Sequence, residues 1–237
     1  MSPAHPGTED TLDLARPAVT GALLAAPVPR PPAPTTGSPP AAGQGPAKAL
    51  VGAVEGWPPA GTPFGTFRLV PAHPGRDLAL VGGWMNDPAV AAFWELAGEP
   101  AVTARHIAAQ TGGDGRSVPC LGLLDGTPMS YWEVYRADLD PLARAYAARP
   151  QDTGIHLLIG ARADRGRGLG AALIAAVADM VLDNRPDCAR VVAEPDLRNI
   201  PSVAAFLTAG FRLSAEIGLP GKRAALMIRE RALRRLL

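Results

Sequence analysis

The sequence lacks the cysteine and histidine spacings that would indicate a cross-linked or metal-bound protein. Its two cysteines, Cys120 and Cys188, form no CxxC pair, and its four histidines show no HxxxH spacing. A disulfide scaffold and a zinc site are therefore not predicted. We expect two free thiols and no bound metal.

An excess of charge of one sign and long apolar runs are also missing. The formal net charge is +1 at pH 7, so the chain has no basic surplus for nucleic acid. No stretch approaches the ~18 to 20 apolar residues of a membrane-spanning helix. The apolar segment 19–29 follows acidic residues and is broken by prolines, unlike a secretory signal. We expect a cytoplasmic protein with no nucleic-acid or membrane partner.

Aromatic residues are nearly absent from the first quarter of the chain, where prolines are abundant. Residues 1–63 contain 14 of the 26 prolines and one aromatic residue, Trp57. Such a segment buries too little apolar surface to offset the entropy lost on ordering. We therefore predict a disordered Pro/Ala-rich tail at 1–63, one folded domain at 64–231 and a C-terminal tail at 232–237.

The predicted domain combines strand-like and helical patterns. Apolar and β-branched runs predict strands at 66–71, 117–124, 129–136, 154–161, 189–194, 211–219 and 223–230. An apolar repeat of helical period predicts a long helix at 168–184; a second helix fits 201–209, and two or three short helices are expected within 77–112. The pattern predicts an α/β fold with a mixed central sheet flanked by helices.

The most informative segment is a glycine-rich turn between the strand at 154–161 and the long helix. It reads Arg165-Gly-Arg-Gly-Leu-Gly170. Glycines let main-chain amides approach phosphate oxygens closely, and the start of a helix adds a favourable dipole. The segment therefore predicts a pyrophosphate site, although a tight turn without a ligand fits this hexad equally well in isolation. No Gly-Lys-Ser/Thr follows, which excludes a Walker loop.

The order Arg-x-x-Gly-x-Gly resembles the acyl-CoA loop of the GNAT acyltransferases. Residues 193–199 (Ala-Glu-Pro-Asp-Leu-Arg-Asn) and 206–211 resemble the strand, Asn-bearing turn, helix and terminal Gly-Phe of the same fold. Further segments resemble the siderophore N-acyltransferase branch of that family: His73, 84–94, 131–135, 154–156, 194–196 and 220–226. Together these resemblances cover about residues 68–231.

The resemblance implies a GNAT acyltransferase fold and an enzyme that uses acetyl-CoA or another acyl-CoA as co-substrate. It also implies a small-molecule amine acceptor: hydroxylysine, hydroxyornithine, a hydroxycadaverine-type amine, or the lysine of mycobactin. Other enzymes of siderophore biosynthesis are the partners that such a role would suggest.

Strand alternation gives a candidate pair of reacting side chains. In 155–159, a period of two places His156 and Leu158 on the face opposite Ile155. In the neighbouring run, Glu194 and Asp196 share a side, so Asp196 can approach His156 across the sheet. The residues alone also fit a core histidine and an aspartate that caps a turn. The family resemblance implies that Asp196 is the base and His156 a substrate ligand or the alternative base, in an order that the sequence leaves open.

The same resemblance implies the residues that hold the donor. Pantetheine would lie along the strand at 154–161, with a main-chain amide near Leu158 or Ile159 facing the thioester oxygen. The pyrophosphate would be surrounded by the residues of the turn, Arg165, Gly166, Arg167, Gly168 and Gly170. Asn199 would lie near the outgoing thiol or act only as a helix N-cap.

Acceptor residues follow from the chemistry of an amino acid or its derivative. Its carboxylate favours a cation, which Lys222 and Arg223 supply, whereas a polycationic aminoglycoside would need a carboxylate-lined cleft. An exposed turn before a strand explains the two cations equally well. Six further residues are candidates for the wall of the amine pocket: Trp84, Asn86, Trp94, Trp132, Glu133 and Tyr135. Core packing is the alternative for the first four, and sheet-face packing or an ion pair is the alternative for Glu133 and Tyr135.

Three functions remain open on the sequence. The first is acyl transfer to an N-hydroxylated diamine or amino acid. The second is an aminoglycoside-type or protein-amine N-acetyltransferase, and the third is a non-catalytic GNAT-like binding module. A hydroxylamine nitrogen is largely unprotonated at neutral pH, whereas a lysine amine has a reference pKa near 10.4 and needs a base. An N-hydroxylated acceptor is the expectation.

Overall fold

The computed structural model describes residues 50–236, and the predicted disorder of residues 1–49 lies outside the described residues. Eight strands form one sheet in the order β1-β2-β3-β4-β5-β6-β8-β7. They are β1 (Ala60–Thr62), β2 (Gly65–Pro71), β3 (Ser117–Leu124), β4 (Thr127–Arg136), β5 (Thr153–Ile159), β6 (Arg190–Ala193), β7 (Arg212–Leu219) and β8 (Lys222–Glu230). The seven predicted strands are confirmed, each within two residues of its predicted bounds.

Five α-helices accompany the sheet within the described residues. They are α1 (Pro74–Met85), α2 (Pro88–Trp94), α3 (Pro100–Thr111), α4 (Leu169–Asn184) and α5 (Ile200–Thr208). Two or three short helices are predicted within 77–112, and the structure has three, α1 to α3, the first of which begins before residue 77. Each begins with a proline, whose fixed φ suits a first helical turn. Among residues 50–236, no helix has the length and apolar character required to cross a bilayer.

Helices cover both faces of the sheet, which confirms the predicted α/β class. On one face, α4 and α5 pack with the odd-numbered residues of β5 and with β1 in the largest apolar cluster. On the other face, Val81 and Met85 of α1 and Ile107 of α3 pack with Tyr131 and Leu158 in a second cluster. The alternation predicted for 155–159 is therefore confirmed.

The folded region begins earlier than predicted, so the boundary at residue 63 is wrong. Val51, Val54 and Trp57 are buried in the largest apolar cluster, and β1 pairs with β2. Prolines in this stretch lie outside β1, where no ladder hydrogen bond is lost. Proline content alone therefore gave a misleading signal for residues 50–63.

The predicted C-terminal tail also has a fixed place. Residues Arg231–Leu236 form a 3-10 helix after β8. Arg231 donates hydrogen bonds to the carbonyls of Leu182 and Arg185, and Arg234 pairs with Asp183. These contacts tie the segment to α4 and its C-terminal end, so described residues 232–236 continue the domain.

The central feature of the sheet is a gap between β5 and β6. These two strands are parallel and pair only at Thr153–Val191 and Gly154–Val192. Pairing of β5 with β4, in contrast, continues to Ile159. The strands therefore separate beyond Gly154, and the edge of β5 from Ile155 onward has no strand partner on that side.

Candidate active site

A cleft of about 280 Å³ lies where β5 and β6 separate. Its lining combines a charged side and an apolar side. The charged and polar lining residues are His106, Glu133, His156, Glu194, Asp196, Asn199, Ser202 and Lys222. The remaining lining residues are Phe93, Trp94, Leu96, Ile155, Leu157, Ala193, Pro195 and Phe206.

His156 stands between two carboxylates. Its Nδ1 lies 3.0 Å from Oε2 of Glu133 on β4, and its Nε2 lies 2.5 Å from Oε1 of Glu194, which directly follows β6. The β4–β5 register places Glu133 directly opposite His156, so this contact follows from strand pairing. Both ring nitrogens are therefore held as donors to carboxylates.

The Glu133 carboxylate is almost fully enclosed by donors. Its Oε1 accepts from Gln110 at 2.6 Å and from Tyr131 at 3.1 Å, and lies 2.5 Å from Nε2 of His106. His106 and Gln110 are one turn apart on α3, so they reach the same carboxylate. Four donors thus satisfy a carboxylate that would otherwise be costly to bury.

Glu194 has two further partners besides His156. The Tyr135 hydroxyl donates to its Oε2 at 2.9 Å, and Lys222 Nζ lies 3.7 Å from its Oε1. The Tyr135 ring packs directly against β5 at Gly154, where a Cβ would fall 2.0 Å from the ring. Glycine at 154 therefore lets Tyr135 reach Glu194.

These contacts set the protonation states of the cluster. Burial opposes a charge on His156, but Glu194 and Glu133 outweigh it and raise the pKa of His156 to about 10. Burial likewise opposes ionisation of Glu194, yet the His156 charge lowers the pKa of Glu194 to about 2. For Glu133, burial is outweighed by hydrogen bonds from His106 and His156, which hold its pKa well below the usual range. At neutral pH, His156 is thus an imidazolium between two carboxylates.

Asp196 lines the cleft but forms no hydrogen bond with His156, contrary to the expected pairing. Its carboxylate instead accepts from the Arg198 guanidinium, with Nη2 2.6 Å from Oδ2, and from the Arg198 amide at 2.8 Å. The Arg198 contacts lower the pKa of Asp196 to about 2. Asn199 caps α5, its Oδ1 accepting from the Ser202 amide at 3.2 Å, and also lines the cleft.

Among the predicted acceptor residues, Trp94, Glu133 and Lys222 line the cleft. The Trp94 ring meets the rings of His156 and Tyr131 edge-on, with centroids 6.2 Å and 5.6 Å apart. Lys222 Nζ donates to the Glu194 carbonyl at 2.8 Å. Its side chain remains 32% exposed, so it can meet an incoming ligand.

The other five predicted acceptor residues lie outside the cleft lining, and one of them, Tyr135, supports Glu194 from behind the lining. Trp132 is fully buried and donates to Ser130 on the α4 side of the sheet, and Trp84 packs over Gly160. Asn86 donates to the carbonyls of Gly82 in α1 and of Gly98, and accepts from the Gly98 amide. Arg223 is 76% exposed and pairs with Glu216 on β7. Core packing, loop closure and a surface ion pair explain the other four residues.

The glycine-rich turn is open. Gly166 and Gly168 have φ values of 74° and 81°, and a Cβ at either position would meet no atom within 4 Å. Gly168 precedes the 16-residue helix α4, whose first amides have no side-chain cap. Arg167 is exposed beside them. The turn thus presents main-chain donors to an accessible space, as a diphosphate requires.

Arg165 has a different place from the one expected at the pyrophosphate. Its guanidinium donates to the carbonyls of Ile159 and Gly160 at 3.0 Å and 2.6 Å. It also lies 3.2 Å from Asp87, which caps α2. The Arg165 side chain therefore ties the end of β5 to α2 instead of facing the turn.

Strand geometry decides which amides face the gap. The Gly160 amide donates to Met129 of β4 at 2.8 Å. Because the direction of backbone amides alternates along a strand, the Leu158 amide also faces β4, whereas those of Leu157 and Ile159 face the open side. Of the two amides expected to meet a thioester oxygen, Ile159 is thus the one available.

Sequence reasoning missed several residues of this site. Glu194 was named only as part of a family motif, without a role. His106 and Gln110 gave no signal in the sequence, because helix α3 has a weak apolar pattern and reaches the site only through tertiary packing. The strand period did place Glu194 and Asp196 on one side. Within residues 50–236, no group of three or more His, Cys, Asp and Glu side chains is arranged to hold a metal ion.

A mixed sheet with one separated parallel pair, and a glycine turn before the helix that follows, defines the GNAT fold. Residues 73–219 match the acetyltransferase (GNAT) domain, and the chain belongs to that family. An uncharacterized protein of Bacillus halodurans has a similar structure, with a TM-score of 0.69 and 29% identity, covering 76% of this chain and 94% of that one.

Two relatives of known name are similar in sequence. Lysine N-acyltransferase MbtK of Mycobacterium sp. (strain MCS) is 35% identical over 160 residues, which cover 68% of this chain and 65% of the relative. N(6)-hydroxylysine O-acetyltransferase of Escherichia coli is 32% identical over 166 residues, covering 70% of this chain and 52% of the relative. The matched part of this chain thus spans about half to two thirds of the length of these relatives.

Proposed function

We propose that this protein transfers an acyl group from an acyl-CoA to the side-chain nitrogen of an N-hydroxylated diamine or amino acid, or of lysine, in siderophore biosynthesis. The observation that carries the proposal is the gap between β5 and β6, with the open glycine turn at one end and the charged cleft beside it. The names of the relatives, a lysine N-acyltransferase and a hydroxylysine acetyltransferase, support the same acceptor class.

The donor would occupy the open edge of β5. Amides of the turn and of the first turn of α4 would hold its diphosphate, with Gly166, Gly168 and Gly170 leaving room for close approach and Arg167 adding charge. A bound acyl-CoA supplies the activated thioester carbon. The Ile159 amide would donate to the thioester oxygen as charge develops there.

The acceptor would occupy the charged side of the cleft. Its neutral nitrogen attacks the carbonyl carbon, a C–N bond forms, and the C–S bond breaks with departure of the CoA thiolate. The nitrogen gives a proton to the base, and the thiolate takes up a proton to leave as the free thiol of CoA. His156 holds protons on both ring nitrogens and so serves as a fixed cation and ligand. Asp196 is ionised at neutral pH and is the base of this proposal.

The charge balance of the cleft argues against a polycationic acceptor. The carboxylates of Glu133 and Glu194 are matched by the His156 imidazolium and by Lys222. The Asp196 carboxylate is matched by Arg198. No surplus of negative charge therefore remains among these residues to bind an aminoglycoside.

A panel of donors and acceptors read by mass spectrometry tests the proposal. Acetyl-, succinyl- and longer acyl-CoA would be combined with lysine, hydroxylysine, hydroxyornithine, cadaverine, hydroxycadaverine and kanamycin between pH 6 and 9. We expect acylated hydroxylamines, formed faster than the plain-amine products at pH 7. Faster turnover of the plain amines would refute the preference for N-hydroxylated acceptors, and a kanamycin product alone, or no product, would refute the proposed function.

A further inference from the structure

The Asp196–Arg198 ion pair stands at the edge of the cleft. Asp196 lines the cleft and is almost fully buried, with 7% of its side chain exposed. Arg198 is 73% exposed, and its guanidinium meets the carboxylate through Nε and Nη2. One member of the pair is thus inside the proposed acceptor site, and the other reaches it from solvent.

A second carboxylate, that of Glu95, also acts on the charge of Arg198. Asp196 raises the pKa of Arg198 most, and Glu95 adds to the effect. Glu95 directly follows Trp94 and precedes Leu96, and both of these residues line the cleft. Asp196 and Glu95, which come from two different segments around the cleft, thus both act on the Arg198 guanidinium.

The three cations near the cleft differ in how firmly they are held. His156 is fixed between two carboxylates, and Lys222 is tied to the carbonyl and carboxylate of Glu194. Arg198 has side-chain hydrogen bonds to Asp196 alone among the described residues. Because the Arg198 end of this pair is exposed to solvent, an incoming ligand can reach the guanidinium.

We propose that Arg198 determines acceptor specificity by leaving Asp196 and binding the α-carboxylate of an amino-acid acceptor, while the acceptor's side-chain nitrogen takes its place at Asp196. The inference rests on the proposed function and narrows its acceptor class from diamines and amino acids to amino acids.

With lysine the exchange is favourable because every charge keeps a partner. With an N-hydroxylated amino acid the side-chain nitrogen is neutral and donates a hydrogen bond to Asp196, while Arg198 still keeps a charged partner. A zwitterionic acceptor brings a nitrogen to the buried Asp196 carboxylate and a carboxylate to the planar guanidinium fork, which can bind it through two parallel hydrogen bonds. A diamine brings no carboxylate and therefore leaves Arg198 without its partner whenever it displaces the guanidinium. The departure of Arg198 also removes the main cause of the low pKa of Asp196, which makes the carboxylate a better base.

Acceptor pairs that differ only in the α-carboxylate provide the test. Lysine would be compared with cadaverine, and N6-hydroxylysine with N-hydroxycadaverine, in the wild type, in Arg198→Gln and in Arg223→Gln. Arg223→Gln is the control, because Arg223 is as exposed as Arg198 and pairs with a glutamate, Glu216, away from the cleft. Thermal melting of all three proteins would confirm equal folding.

We expect the wild type to prefer the amino acid over the matching diamine at least about tenfold in kcat/KM, the scale of one charge-assisted pair. Arg198→Gln should remove most of that preference, chiefly through a higher KM for the amino acid, and Arg223→Gln should keep it. An unchanged preference in Arg198→Gln, an equal loss on both acceptors, or a wild type that prefers the diamine would overturn the inference while leaving acyl transfer intact. Absence of turnover on every acceptor would instead overturn the proposed function and this inference with it.

Discussion

Glu133→Gln should lower the free energy of unfolding by about 3–5 kcal/mol, the cost typical of removing one partner of a buried ion pair. The neutral amide cannot accept from His106, Gln110, Tyr131 and His156 as the carboxylate does. One of the two terminal atoms of the glutamine side chain is the amide nitrogen, a donor that would face other donors. Urea denaturation at pH 7 measures the change.

Glu216→Gln is the control for this prediction. Glu216 pairs with Arg223 at the surface, where both side chains are more than half exposed. Its loss should produce only the small change typical of an exposed pair. If Glu133→Gln were no more destabilising than Glu216→Gln, the buried cluster around His156 would not contribute to stability as its geometry indicates.

The same cluster predicts a pH dependence of stability with a definite sign. The depressed pKa of Glu194 contributes stability that is present above its ordinary value of 4.5 and is lost as the pH falls toward 2. The raised pKa of His156 contributes stability that is present below 6.5 and is lost as the pH rises toward 10. Stability should therefore fall between pH 6.5 and 10, and fall less steeply in Glu133→Gln, where the imidazolium has one carboxylate fewer.

Asp196→Asn should lower kcat about 100-fold or more on a plain-amine acceptor, which is the scale of a general base. The substitution keeps the shape of the side chain and a carbonyl oxygen for the Arg198 amide, so we expect the melting temperature to change little. The loss should be smaller on an N-hydroxylated acceptor, whose nitrogen is already unprotonated at neutral pH. Steady-state kinetics with both acceptors measures the difference.

Asp114→Asn is a close structural match for that variant. Asp114 pairs with Arg116 two residues later, as Asp196 does with Arg198, and its carboxylate also accepts from the amide of its arginine. It does not line the cleft. Near-normal turnover of Asp196→Asn, or an equal loss in Asp114→Asn, would remove Asp196 from the proton transfer.

The sequence predicted the parts of the site that depend on local periodicity. Alternation along β5 correctly separated His156 from Ile155, and the glycine spacing correctly placed a turn before α4, which the structure shows to be open. The choice between Glu194 and Asp196 as the partner of His156 could not be made in this way, because both lie on one side of the same run. That choice depends on where β6 separates from β5, and on the ion pair that Asp196 forms with Arg198 two residues later.

Residues that reach the site through tertiary packing were beyond prediction for a related reason. His106 and Gln110 come from a helix whose docking over β4 is set by the apolar contacts of Ile107. Trp132 and Trp94 are the same residue type, and only their positions relative to the sheet place Trp132 in the core and Trp94 in the cleft lining. Residues 50–57 were assigned to the tail because composition over a long window masked three buried side chains.

Calorimetric titration of the full chain with CoA and with pantetheine tests the central claim most directly, because the two ligands differ in the nucleotide and its diphosphate. If main-chain amides of the turn at 166–170 hold the diphosphate, CoA should bind at least about a hundredfold more tightly than pantetheine, a difference of about 2.7 kcal/mol. Equal affinities for the two ligands, or no heat with CoA, would contradict the account.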